Sequence, residues 1–345
     1  MDFWLPLTIS FILSFLAIKI VNPIAIKTGL VDYPCARKVH EGHIPLVGGI
    51  AIYLSIMLAS VLFIEQSRNL NIYLVAAAFV LFLGVLDDRY DLPVKTRLVA
   101  QVIVASLMIF GTETHLSSLG HILGGFELKL GLFGIIVTIV AIIAGINAIN
   151  MMDGIDGLAG ALSLIAFAAI AFFLNRVAND WFLLPTLFIA SLLAYLMFNL
   201  KLHKSFSKIF MGDSGNMLIG LSLVWLMVLG VNLETPAFKP VTALYIMGVP
   251  ILDMATVIIR RLKSGNSPFS ADRQHLHHLF EAAGYSRTSA LVCISSFASL
   301  LAVLGCVAEI FSVPEWVMLA TYIILFICYA AITQCAWNKL EQKNS

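Results

Sequence analysis

Apolar residues in this chain come in long runs, and polar residues are confined to short breaks between them. A helix needs about 20 apolar residues to cross the hydrocarbon core of a bilayer. Eleven runs reach or approach that length: residues 3–21, 45–64, 71–86, 96–110, 132–149, 158–175, 181–199, 215–231, 241–259, 288–308 and 315–337. They predict an all-α integral membrane fold of about eleven transmembrane helices. One segment has another rhythm. HILGGFELKLG, residues 121–131, alternates around Gly124-Gly125. It predicts a small β-hairpin near residues 115–130, with the glycine pair supplying the turn.

The breaks are too short to hold a separate soluble domain, so residues 1–345 read as one polytopic domain. The first run lacks a basic leading region and a cleavage site, and reads as a retained span rather than a signal peptide. No internal repeat is visible, which weighs against an inverted-repeat carrier. Composition agrees: 60% of residues are hydrophobic and 12% charged, against roughly 45–50% and about 25% in soluble proteins. The net charge of +1 gives no footprint for nucleic acid. The five cysteines show no paired spacing and read as small hydrophobes.

Lysine and arginine set the expected orientation. With eleven spans, seventeen of the 21 fall on one face and four on the other. The positive-inside rule then predicts an N-terminus outside and a C-terminus in the cytoplasm. Carboxylates are not sorted by that rule, so they test it independently. Nine of the eleven aspartates share the basic face, whereas six of the nine glutamates lie opposite. A general attraction to cytoplasmic cations would have moved both acids alike. Selection of the shorter, stiffer acid suits fixed ligand geometry, and scarce acids in a membrane chain point to a functional site.

Five inner connections carry the chemistry. They are Asp32–Gly49, DDRYDLPVK (Asp87–Lys95), NAINMMDGIDG (Asn147–Gly157), FMGDSGN (Phe210–Asn216) and the stretch from Arg260 to Leu279, which ends in DRQHLHHL. Asp87 and Asp88 close the third run, where a helix dipole prefers cations. Their placement therefore asks for a cation or a proton to offset it. Lys95 follows nearby and suits a lipid phosphate at the interface, or a snorkelling anchor. Asn150, Asp153 and Asp156 recur at spacings of three, and oxygen-only side chains suit Mg²⁺ or Mn²⁺. Asp213 and Ser214, flanked by Gly212 and Gly215, form either a plain N-cap or a phosphate site at a helix start. Phe210 offers a stacking face for a base, or an interfacial aromatic. Arg260, Arg261, His275, His277 and His278 gather donors that suit a diphosphate; a basic loop drawn to anionic lipid is the plainer account. Asp253 lies within the ninth run, after Pro250, and is expected to pair with Arg260 or Arg261.

Together, DDRYDLPVK, NAINMMDGIDG, FMGDSGN and DRQHLHHL resemble the polyprenyl-phosphate N-acetylhexosamine-1-phosphate transferases. The likeness runs from the RKVHEGHIPLVGG segment into the last span, and four motifs in order on one face make it specific. The resemblance implies ten or eleven spans and a cytoplasmic-face site in the bacterial inner membrane. It also implies transfer of a sugar phosphate from a UDP-sugar to a lipid phosphate, with UMP released and Mg²⁺ or Mn²⁺ required. By position, Asp213 and Asn150 match the metal site, and Asp87, with Asp88 beside it, the group that deprotonates or positions the lipid phosphate. Asp156 and Phe210 match positions that read and stack uracil. His275, His277 and His278 match the loop that cradles the diphosphate and sugar. Leu276 interrupts the histidines, where the members that transfer a pentapeptide-bearing sugar have three in a row. That favours a small acetamido sugar, with UDP-GlcNAc and undecaprenyl phosphate as the expected partners and cell-surface polysaccharide as the destination.

Three rivals stand beside this reading. A cation-coupled carrier predicts carboxylates near the midplane inside broken helices; apart from Asp253, the acids lie at one edge. A non-catalytic lipid-binding scaffold gives no reason for Asp87, Asp88, Asn150 and Asp213 together. A sister transferase for another UDP-hexosamine is nearest. Monomer and homodimer are equally compatible with the sequence.

Overall fold

The computed structural model describes residues 4–33, 42–270 and 272–344. Part of the first inner connection, including Arg37 to Glu41, lies outside them. The helices are α1 (Trp4–Thr28), α2 (Gly48–Phe63), α3 (Arg68–Tyr90), α4 (Val94–Thr112), α5 (Phe133–Met152), α6 (Leu158–Arg176) and α7 (Leu183–Asn199). They continue with α8 (Gly212–Val231), α9 (Pro240–Ile246), α10 (Gly248–Lys263), α11 (Leu276–Ala282), α12 (Arg287–Ile310) and α13 (Glu315–Asn344). Among the described residues, nine helical segments are long and apolar enough to cross a membrane, or ten with the α9–α10 pair counted as one span. The protein is a multi-pass helical membrane protein.

Two expected spans differ in form. The second, α2, has 16 residues, short for a crossing of about 20. The ninth is not one helix: α9 and α10 meet at 84°. The break falls at Met247, three residues before Pro250, because proline is tolerated in the first turn of the new helix. The expected hairpin is reduced to one antiparallel bridge, Ser118 to Lys129. Backbone bonds from Leu119 to Leu128 and from Leu128 to Gly120 narrow it toward a turn over His121–Gly124. A two-residue sheet, β1 (Val31–Asp32) against β2 (Ile44–Pro45), forms in a connection where no strand was expected.

All five motif-bearing connections meet at one end of the bundle. Arg89 bonds the Gly29 carbonyl, the Gly48 and Gly49 amides bond Phe210 and Met211, and Asn216 reaches Asn150 and Asp153. The opposite end is tied by Arg68 to Glu113, Ser117 to Asn232 and the Lys239 amide to Glu309. The bundle therefore places the connections on two faces as the span count requires.

Helix α8 is the axis. Every residue from Gly212 to Gly230 is buried except Asp213. Apolar side chains alone do not draw helices together in lipid, so close contact relies on small residues. Here Gly49 of α2 lies on the Gly215 backbone and Gly84 of α3 on the Ser214 backbone. A Cβ at either glycine would overlap those main-chain atoms. Both contacts sit one or two residues from Asp213, so the packing that builds the bundle also places the carboxylate. Gly84→Ala is expected to lower the denaturation temperature in detergent, through an overpacking cost of about 1–3 kcal/mol, and to reduce function with it. A variant with wild-type stability and function would show that this contact positions nothing.

Two apolar clusters flank the axis. One joins α1 to α5, α7 and α8. The other joins the start of α6 to α9, α10, α12 and α13. Met152 and Ile155, which bracket Asp153, belong to the second cluster, whereas Ile149 and Met217 belong to the first. The polar end of the bundle lies on that seam.

Candidate active site

Asp88 organises the start of α8. Its Oδ1 accepts the Asp213 N–H at 2.7 Å and its Oδ2 accepts the Ser214 N–H at 3.2 Å. The capping position, Met211, contributes no side-chain bond. Neither Asp213 nor Ser214 is the N-cap; a carboxyl from another helix takes that role, at the positive end of the α8 dipole. The awkward carboxylate at the end of α3 is thus explained by the neighbouring helix.

Asp87 is buried. Its Oδ1 accepts the Leu92 N–H at 2.9 Å, and its Oδ2 pairs with Arg97 at 3.1 Å. Asp87 is the strongest charge influence on the Asp213 carboxyl, with Arg97 and Asp153 as further electrostatic neighbours. Two carboxyls this close repel unless a proton or a cation lies between them. Arg97 offsets part of that charge. Lys95, the cation singled out from the sequence, is exposed, and no hydrogen bond or ion pair among the described residues joins it to this cluster.

Asn216 closes the other side. Its Nδ2 donates to Asp153 Oδ2 at 2.8 Å and to Asn150 Oδ1 at 3.3 Å. Its Oδ1 is buried and has no partner among the described residues. Asn150 and Asp153 therefore share a face, as their spacing implied. The sequence reading missed Arg97 and Asn216. Asn216 was findable: it lies three residues after Asp213 and so on the same helical face.

Asp156 belongs to a second group. It pairs with Lys208 at 2.7 Å, and Lys208 Nζ stands 5.4 Å from the centroid of the half-buried Phe210 ring. Asn199 clamps the two loops together: its Oδ1 accepts the Gly157 N–H and its Nδ2 donates to the Ile209 carbonyl. The Phe210 backbone is pinned on both sides, to Pro45 and to Gly48. An acid, a cation and an aromatic face held this rigidly suit a planar, hydrogen-bonding ligand.

In the histidine loop, the arginines are occupied. Arg261 donates to Asp272 at 2.7 Å and to the Pro268 carbonyl at 2.7 Å. Arg260 reaches the Gln274 carbonyl and the Thr333 hydroxyl. Burial raises Asp272, but hydrogen bonds from Arg261 and the Gln274 N–H outweigh it and hold the carboxyl below its usual range. Both arginines fold the loop rather than standing free for phosphate. Asp253 pairs with neither of them; its partners are His275, the Leu276 N–H and Tyr329. His278 pairs with Glu281 at 3.2 Å, and burial still lowers it.

His277 differs. It packs on Gly154, where a Cβ would overlap its ring. It is buried, and neither ring nitrogen has a partner among the described residues. Burial, with His278 and His275 beside it, pushes its pKa down to about 3. The ring is neutral at physiological pH, with one donor and one acceptor unclaimed next to Asp153.

A hard divalent cation fits the first group. The donors are all oxygen: Asp213, Asp153, Asn150 and the unpaired Asn216 Oδ1. Among the described residues, no group of three His, Cys, Asp or Glu side chains is arranged to hold a metal ion by itself. Mg²⁺ commonly takes one or two carboxylates and completes its shell with water and substrate phosphates. Soft or imidazole-rich chemistry does not fit, because the histidines lie in the other wall.

This architecture defines a class: a multi-pass membrane protein with a cluster of carboxyls at one end of its helical bundle. The profile of glycosyl transferase family 4 matches residues 70–231, from α3 through α8. The chain is 42% identical over 334 residues to the undecaprenyl-phosphate alpha-N-acetylglucosaminyl 1-phosphate transferase of Salmonella typhi, covering 95% of this chain and 90% of that protein. Against the protein of that name from Yersinia pestis it is 41% identical over 330 residues, with the same coverage. Against that from Pasteurella multocida it is 43% identical over 337 residues, covering 97% and 94%. The chain belongs to glycosyl transferase family 4, within its polyprenyl-phosphate sugar-1-phosphate transferases.

Proposed function

We propose that the protein transfers GlcNAc-1-phosphate from UDP-GlcNAc to undecaprenyl phosphate, giving undecaprenyl-diphospho-GlcNAc and UMP. The site faces the cytoplasm from the bacterial inner membrane, a reading that the lysine and arginine bias supports. The product primes a cell-surface polysaccharide. The observation that carries this reading is the meeting of Asp87, Asp213, Asn150 and Asp153 at one end of the bundle, beside the Asp156–Lys208–Phe210 group. Each of two anionic substrates then has its own wall.

Asp156, Lys208 and Phe210 hold the uracil. The neutral His277 donates to or accepts from the donor's diphosphate or sugar. Asp213 and Asp153, with Asn150 and Asn216 at their side, would hold Mg²⁺ or Mn²⁺, which when bound would supply charge stabilisation to the phosphoanhydride. Asp87, steadied by Arg97, positions the lipid phosphate and takes its proton. An oxygen of that phosphate attacks the sugar-bearing phosphorus, the anhydride bond breaks, and UMP leaves. Attack is direct, because a covalent intermediate on Asp87 would add a step that the exchange of one anhydride for another does not require. Asp88, with both oxygens on the α8 backbone, is a positioning residue. Lys95 remains a candidate contact for the lipid headgroup at the interface. One anhydride replaces another, so the equilibrium lies near unity and relies on downstream consumption.

The test is purified protein with undecaprenyl phosphate and a panel of radiolabelled UDP-sugars. UDP-GlcNAc is expected to give the most lipid-extractable label. Preference for another UDP-hexosamine would move the protein to a sister activity, and no label from any sugar would remove the transferase reading.

A further inference from the structure

An acid buried in an apolar helical bundle is costly and demands an explanation. Asp253 lies in α10 and is only 2% exposed. Three donors converge on it. Its Oδ2 stands 2.7 Å from His275 Nδ1, and its Oδ1 accepts the Leu276 N–H at 2.9 Å and the Tyr329 hydroxyl at 2.8 Å. The three come from the histidine loop and from α13, far apart in the chain. An ionised carboxylate is the side chain that only accepts, and it satisfies all three.

The arrangement also selects a tautomer for His275. Arg261 Nη2, which only donates, faces His275 Nε2 at 3.5 Å. Nε2 is therefore the acceptor and Nδ1 carries the proton toward Asp253. His275 is buried and serves as a strut between two fixed groups. Leu276 is held through its backbone, and the next residue is His277, seated on Gly154 beside Asp153.

We propose that Asp253 is a positioning residue: through His275 and the Leu276 backbone it sets where His277 meets the donor sugar-nucleotide, and Tyr329 makes that setting depend on the last helix. This rests on the reading of the histidine loop as part of the donor site. A displaced loop weakens donor binding and leaves the lipid phosphate, on the Asp87 side, unaffected.

Asp253→Asn tests it with little change of shape. Asparagine presents an N–H where His275 Nδ1 already donates, and a flipped imidazole would aim its Nε2–H at Arg261. The expected result is a KM for UDP-GlcNAc raised about tenfold, the scale for lost supporting contacts. The kcat should stay within about threefold and the KM for undecaprenyl phosphate unchanged. Hydrogen exchange across residues 272–282 should rise. Tyr329→Phe, which removes one donor, should raise the same KM about threefold, and it decides the matter if Asp253→Asn does not accumulate. His277→Ala serves as the reference. If it raises the donor KM and the Asp253 and Tyr329 variants do not, the inference is overturned and the donor-site reading stands. If His277→Ala leaves the donor KM unchanged, both fall. Equal rises in KM for donor and lipid would mark a general structural role and also overturn the proposal.

Discussion

Asp213→Asn and Asp87→Asn each lose about a hundredfold to a thousandfold in UMP release from UDP-GlcNAc, while protein abundance in membranes holds. The size follows from what the two groups do. Phosphoryl transfer depends on placing charge against charge, and a fixed stabilising group is worth about 10²–10³ in rate. Asp213 is the one residue between Gly212 and Gly230 of α8 that is not buried, and Asp87 is its strongest charge influence. The bundle should survive either change, because asparagine is isosteric and relieves a repulsion between carboxyls. Asp180→Asn, in the connection before α7 at the other end of the bundle, is the control and should keep full turnover. Normal turnover in both site variants would remove the assignment of this cluster as the reaction centre.

The second large effect is metal removal. EDTA is expected to stop label transfer to lipid by more than about a hundredfold, and Mg²⁺ or Mn²⁺ to restore it. The reason is local: Asp87 and Asp213 act on each other electrostatically, and the Asn216 Oδ1 is buried without a partner among the described residues. A measurement without turnover checks the same point. Mg²⁺ should raise the melting temperature of the wild-type protein by mass action and leave Asp213→Asn unmoved. Full activity in EDTA, or an equal thermal shift in both proteins, would contradict the ligand set.

Much of this molecule could be read from its sequence, and the reasons differ by element. Long apolar runs have no alternative to helix in lipid, because every backbone group must bond within its own segment. The gathering of Asp87, Asn150, Asp153 and Asp213 at one end followed from counting spans between them. Roles within the cluster did not follow. Lys95 and Arg97 are two residues apart, so on a helix they point about 160° from each other. Only packing decides which one faces Asp87, and it is Arg97. Asp88 looked like half of a catalytic pair. Its oxygens are spent on α8, a helix more than a hundred residues away in sequence. Arg260 and Arg261 looked free for phosphate and instead fold their own loop.

The chain's sequence alone determined that it is a multi-pass helical membrane protein, that its acids collect at one edge, and that its motifs are those of a sugar-phosphate transferase. Those properties are local or additive: hydropathy, spacing and parity need no partner. The tertiary structure alone decided which carboxylate faces Asp213, which cation balances it, where the ninth span breaks, and which donors surround the buried Asp253. Each of those depends on side chains brought together from distant segments, at distances where hydrogen bonding and charge outweigh any local preference.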